Sequence, residues 1–295
     1  MVDSSNYMQM AQDTFSQAEK KLKPGLFGKI FSNKIDRLEE AAELFKQSAN
    51  YYRLAKDYSA SARAFIRCAD CMPDEAAQYF SEAANVVRKV NTGEAVNYYN
   101  KAVEILARSG RIGMAAKLRK QIAEIYEQDD VIELAFANYE QAAELFEMDN
   151  TESTANSCLL KAAELSTSHT LDQATVVKAI QIFEKVAQRY LMHQLTRFSA
   201  KECYFKACCL YLALEDFVGV ERAHAQYSSR DPSFETSREA RLIKDLATAI
   251  QSSDLKAFED AVSGFNRITA LDNWKIKVLL KAKEPLTASD EIELA

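Results

Sequence analysis

Apolar and polar positions alternate at a helical period along this chain, and one arrangement of them keeps returning. Within residues 91–148, Val96, Tyr99, Val103 and Leu106 recur at the spacing of one helix face, as do Ala115, Leu118, Ile122 and Ile125. An offset of about forty residues, in the range of helical repeats, sets Ala95 on Ala135, Tyr99 on Tyr139, Ala102 on Ala142 and Leu106 on Phe146. The same order of small and aromatic positions starts again at Ala41 with Phe45, at Ala76 with Phe80 and at Ala179 with Phe183. A small residue lets a neighbouring helix come close, and the aromatic fills the groove that results. One such pair cannot bury its face alone, so the pattern predicts stacked helical hairpins.

A first helix is predicted over residues 3–23, with Tyr7, Met10, Phe15, Ala18 and Leu22 as its apolar positions. Repeating helices follow over 35–227, with turns near Asp57, Pro73, Asn91, Gly110, Asp129, Asn150, Asp172, Gln194 and Asp216. After Pro232 the repeat is lost, and three further helices are predicted around Leu242, Leu246, Phe258, Phe265, Leu271 and Trp274. Such a change usually marks an end domain that covers the exposed face of a solenoid. The tail from Glu284 opens with Pro285 and is expected to be mobile. The fold class is all-α, divided into a solenoid over 1–230 and a C-terminal helical bundle with an acidic tail over 231–295.

Composition agrees with nearly uninterrupted helix: 7 Gly and 4 Pro in 295 residues leave few helix breakers. No segment alternates strictly for long enough to predict a sheet. The N-terminus lacks the layout of a signal peptide and no apolar run reaches the length of a membrane span, so a cytoplasmic protein is expected. In that compartment the 6 Cys are expected to stay reduced, as small core residues.

A net charge of -6 speaks against general affinity for nucleic acid, and its distribution is more informative than its sum. Arg108, Arg111, Lys117, Arg119 and Lys120 form a run with no acid among them, whereas residues 121–160 carry many carboxylates and no Lys or Arg. If that basic run is functional, its partner is acidic. In residues 24–34, Leu26, Phe27, Ile30 and Phe31 sit on a predicted loop that carries Pro24, Gly25 and Gly28 and is flanked by lysines. Large apolar side chains on a basic loop suit contact with an anionic membrane surface.

Motifs of catalysis are missing. There is no phosphate-binding or dinucleotide-binding glycine loop, nucleophile elbow or zinc-protease helix. His169, His193 and His224 are far apart, and Cys68 with Cys71 lacks a second pair. Neither an enzyme nor a cofactor is expected.

Five stretches together resemble the soluble NSF attachment protein (SNAP) family, and within it the alpha type. They are Gly25-Leu26-Phe27-Gly28; Ala123-Glu124-Ile125-Tyr126-Glu127; Cys158-Leu159-Leu160-Lys161; Ser199-Ala200-Lys201 with Tyr204-Phe205-Lys206-Ala207; and Ser237-Arg238-Glu239 with Leu271, Asp272 and Trp274. The resemblance runs from end to end. It implies a right-handed, tetratricopeptide-like twisted sheet of antiparallel helix hairpins with a C-terminal bundle. It also implies an adaptor that binds assembled SNARE complexes of the syntaxin type, and recruits and stimulates the hexameric AAA ATPase NSF for SNARE disassembly in vesicle fusion and intracellular transport. Such an adaptor is associated peripherally with membranes. On the matching positions, Arg111, Lys117, Lys161, Lys201 and Arg238 hold the SNARE surface, and Leu26, Phe27, Ile30 and Phe31 touch the membrane. Asp290, Glu291, Glu293 and Leu294 meet the ATPase. Ser157 departs from the family, which usually carries a further lysine there. The alternative is a tetratricopeptide-type co-chaperone or scaffold adaptor that takes a peptide tail in its groove.

Overall fold

The computed structural model describes residues 4–23 and 34–293, with side chains described up to residue 287. All regular structure among them is helical: α1 (Ser4–Leu22), α2 (Lys34–Leu54), α3 (Tyr58–Cys71), a 3₁₀ turn (Pro73–Glu75), α4 (Ala76–Val87), α5 (Thr92–Arg108), α6 (Ile112–Gln128), α7 (Ile132–Met148), α8 (Glu152–His169), α9 (Gln173–Met192), α10 (Arg197–Ala213), α11 (Phe217–Arg230), a one-turn α12 (Pro232–Glu235), α13 (Arg238–Gln251), α14 (Leu255–Asn266) and α15 (Asn273–Glu293). Each of the nine predicted turns falls at a helix boundary, and the three helices predicted after Pro232 are α13 to α15.

The chain divides into two compact units, one of residues 1–131 with 141–155 and the other of residues 132–140 with 156–295. In the first, α1 to α6 pack each on the next, and the core is built as the repeat predicts, from Ala41, Phe45 and Ala49 through Phe65, Cys68, Ala83 and Ala84 to Ala95, Tyr99 and Ala102. Phe80 is the exception among the aromatic positions: it is half-buried and lies against Tyr98, with the Lys101 ammonium above both rings. In the second unit the corresponding role falls to Ala179, Phe183, Val186 and Ala187 of α9, packed on α10.

One turn geometry closes the hairpins. Lys56, Gly110, Asp130, Asn150, Glu215 and Ser253 have positive φ, and the residue after each donates its backbone N–H to the carbonyl five residues earlier. This is the Schellman closure, in which the left-handed residue lets the chain satisfy the last orphan carbonyls. Five of these six positions are not glycine, which is how so helical a chain manages with so few. In three of them the next residue, Asp57, Asp216 or Asp254, caps the following helix through its carboxylate.

One boundary is corrected. The sequence places the end of the last helix before Pro285, yet α15 continues to Glu293. Val278, Leu279, Ala282 and Leu286 are buried at helical spacing, so one apolar stripe runs straight past the proline. Burial of Leu286 holds the helix through a site where the backbone has lost one donor.

Candidate functional site

In the first unit the basic run spans the turn between α5 and α6. Arg108 pairs with Glu104 at 3.5 Å and Lys120 with Glu124 at 3.7 Å, each one turn away on its own helix. Arg119, half-buried, donates to Asn100 Oδ1 at 2.8 Å. Burial of its guanidinium pulls its pKa below the usual arginine range, with Glu104 opposing. Arg111 and Lys117 remain. Both are exposed, and among the described residues neither meets a carboxylate. The backbone of Arg111 is fixed by the Schellman bond to Leu106 (2.9 Å), and its Nε donates to Ser109 Oγ at 3.0 Å. Met114 lies between them, and the triplet spacing puts Arg111, Met114 and Lys117 along one edge of α6.

Clefts open on both sides of that edge. One, of about 410 Å³, is bordered by Asp74, Gln78, Ser81, Met114 and Lys117; the other, of about 630 Å³, by Gly113, Lys117, Phe146, Asp149 and Thr154. The Asp149 carboxylate lies close over Gly113, where a Cβ would stand 2.2 Å from it and push it aside. The edge therefore presents two exposed cations and a methionine above concave ground, an arrangement suited to an acidic, partly apolar surface.

In the second unit Lys201, on α10, is 3.3 Å from Glu239, and Glu239 follows Arg238 at the start of α13. Ser237 Oγ caps that helix by accepting from Ala240 N at 3.1 Å, which leaves the Arg238 side chain exposed. Lys161 is exposed on α8, and Ser157, one turn before it, is exposed as well. The structure thus groups Arg111 with Lys117 in one unit and Lys201 with Arg238 in the other. Leu26, Phe27, Ile30, Phe31 and Leu294 lie outside the described residues. Asp290, Glu291 and Glu293 belong to the last two turns of α15, with their side chains outside the described set.

Two features escaped the sequence reading. Met192, Leu195 and Phe198 are 81%, 95% and 83% exposed at the connection of α9 to α10, beside Arg197 and one turn from Lys201. Three large apolar side chains in a turn free of Gly and Pro were the available signal. The second is a charged network. Lys206 Nζ lies 2.6 Å from Glu164 and 3.6 Å from Glu202, while Lys275 Nζ lies 2.6 Å from the same Glu202 and 3.2 Å from Asp272. Both lysine side chains are only 11% exposed. Lys206 also stands over the rings of Trp274 (5.4 Å) and Phe183 (5.9 Å). Trp274 Nε1 donates to Thr167 Oγ1 at 2.8 Å, and Lys277 Nζ to the carbonyl of Ser168. Burial alone would lower the Lys275 pKa, but the hydrogen bonds it donates to the Glu202 and Asp272 carboxylates outweigh it and hold the ammonium above its usual range.

A family profile described as "Soluble NSF attachment protein, SNAP" matches residues 9–287. The chain belongs to the soluble NSF attachment protein family. A beta-soluble NSF attachment protein of Bos taurus is 34% identical over 302 residues, covering 98% of both chains. An alpha-soluble NSF attachment protein of Vitis vinifera is 31% identical over 289 residues, with 96% of each covered. The vesicular-fusion protein SEC17 of Komagataella phaffii is 32% identical over 293 residues, with 97% of this chain and 98% of its own covered. Much of what makes the chain recognisable as a SNAP is core: Ala123, Ile125, Cys158, Leu159, Tyr204, Phe205 and Trp274 are all buried. Among the described residues no helix is long and apolar enough to cross a membrane, and no group of three His, Cys, Asp or Glu could hold a metal.

Proposed function

We propose that this chain is a non-enzymatic adaptor, free of cofactors, that binds assembled SNARE complexes and recruits and stimulates an NSF-type AAA ATPase for their disassembly in vesicle fusion. Arg111, Lys117, Lys161, Lys201 and Arg238 hold the acidic surface of the SNARE bundle, with Met192, Leu195 and Phe198 as apolar contacts beside Lys201. Asp290, Glu291, Glu293 and Leu294, at the end of a bundle over 231–295, engage the ATPase. Leu26, Phe27, Ile30 and Phe31 touch the membrane, so the protein is cytoplasmic and peripherally attached. The reading is supported by relatives named as NSF attachment and vesicular-fusion proteins. The observation that carries it is the selective release of Arg111 and Lys117 in a run whose other cations have internal partners.

Each exposed ion pair contributes about 1 kcal/mol at most, so affinity comes from several in array and falls steeply with salt. Apolar side chains such as Leu26 and Phe27 contribute about 1.5–3 kcal/mol each, which makes a weak anchor that acts once a SNARE complex in the same membrane raises the local concentration. Mixing the full chain with assembled SNAREs, an NSF-type ATPase and ATP tests the proposal. Disassembly that depends on the chain and on ATP is expected, and an equal rate without the chain overturns it.

A further inference from the structure

The root of α15 is held to three other helices of its unit, through Trp274 to Thr167 on α8, through Lys275 to Glu202 on α10, and by a T-shaped contact of the Trp274 ring with Phe183 on α9, with centroids 5.8 Å apart. Glu202 is the shared element, since it receives both Lys206 from its own helix and Lys275 from α15. Ion pairs of this kind, with a buried lysine and a partly exposed carboxylate, contribute little net stability, because desolvation of the lysine and screening of the carboxylate offset most of the attraction. What such a contact can add is a preference for one arrangement over others: Lys275 to Glu202 ties α15 to α10, while Asp272 caps the start of α15 itself.

Direction matters here because of leverage. From Lys275 to Glu293 α15 extends about 27 Å at 1.5 Å per residue, so a change of about 10° in the direction of the whole helix, its buried stripe from Val278 to Leu286 included, moves the tip by about 5 Å. The helices that hold the root also carry the cargo cations of the second unit. Glu202 adjoins Lys201 on α10, and Glu164, the other partner of Lys206, is one turn from Lys161 on α8.

We propose that Lys275 and Glu202 are positioning residues: they aim the C-terminal end of α15 at the ATPase in a direction indexed to the helices that bear Lys161 and Lys201. This rests on the adaptor function proposed above. The Lys275 side chain is buried, so its loss is expected to leave cargo binding in place while the far end of α15 is misdirected.

The test uses the full chain with Lys275→Met. Spin labels at Gln181→Cys on α9, an exposed position, and Lys281→Cys on α15, a partly exposed one, report the direction of α15 without any partner, and the buried native thiols stay unlabelled. Lys275→Met is expected to broaden the label-to-label distance distribution and to lower maximal ATPase stimulation at saturating chain by about threefold or more. Affinity for the assembled SNARE complex is expected to stay within about twofold, and Lys275→Arg to restore both readouts. Glu202→Gln, which keeps the volume and removes the charge, carries the same expectation should Lys275→Met fail to fold. A Lys275→Met chain with the wild-type distance distribution, or with wild-type maximal stimulation, overturns the inference while leaving the adaptor reading intact. A wild-type chain that does not stimulate the ATPase overturns both.

Discussion

Two sets of cations in one acidic protein meet opposite fates. Arg111 and Lys117 stand at the edge of α6 with no carboxylate beside them among the described residues, whereas Lys206 and Lys275 are sunk beneath Trp274 and Phe205 with three carboxylates between them. The exposed pair costs the fold almost nothing to keep or to lose, so it is available for binding. The buried pair is costly to break, since removing either lysine strands a half-buried carboxylate. Nothing in the local sequence separates the two sets; a lysine in Tyr204-Phe205-Lys206-Ala207 looks no more committed than one in Ala116-Lys117-Leu118.

The contrast is sharpest at the tryptophan that roofs the buried network. Trp274→Ala removes a ring packed on Phe183 and leaves Thr167 Oγ1 without its donor, and is expected to cost about 3–5 kcal/mol, read as a large fall in the thermal unfolding midpoint. Lys206→Ala should cost less, about 2 kcal/mol in urea unfolding, because Glu164 and Glu202 are partly exposed and water screens what the lysine leaves behind. Reversing charge at Arg111 and Lys117 together should move stability by no more than about 0.5 kcal/mol and yet weaken binding of an assembled SNARE complex by about tenfold at physiological salt. Unchanged binding there would erase the functional half of the comparison.

A smaller effect comes from His224. Burial, with help from Lys244, holds its pKa below the usual histidine value, while the backbone carbonyl of Ala240 and the charge of Glu235 oppose it only in part. The folded protein therefore resists a proton that the unfolded chain accepts. Stability is full above a pH of about 6.5 and declines as pH falls below it, where the unfolded state binds more protons. Urea midpoints between neutral and mildly acidic pH should show this decline, and His224→Gln should flatten it. The thiols supply a control: burial pushes Cys68 and Cys203 up to about 12, so they should react with a disulfide reagent at neutral pH only after unfolding.

Periodicity located the repeat helices and their turns because those signals are local. A helix face is written in residues three and four apart, and a Schellman turn within six. Tyr99, Tyr139 and Phe183 are buried as the pattern predicts. The proline at 285 misled for the same reason: it is a strong local signal, and it was overridden by the packing of Leu286, which no window of sequence reveals.

The sequence by itself determined the helices, the repeat, the family and the segregation of basic from acidic segments, since each is fixed by residues close in the chain or by likeness along its whole length. Tertiary structure alone decided which cations are free and which are spent. Trp274 finds Thr167 across 107 residues, and Lys206 finds Glu164 across 42. Whether a charge is available for a partner depends on neighbours delivered by folding from that far away, because Coulomb attraction between side chains acts over a few ångströms of space with no regard to their separation in sequence.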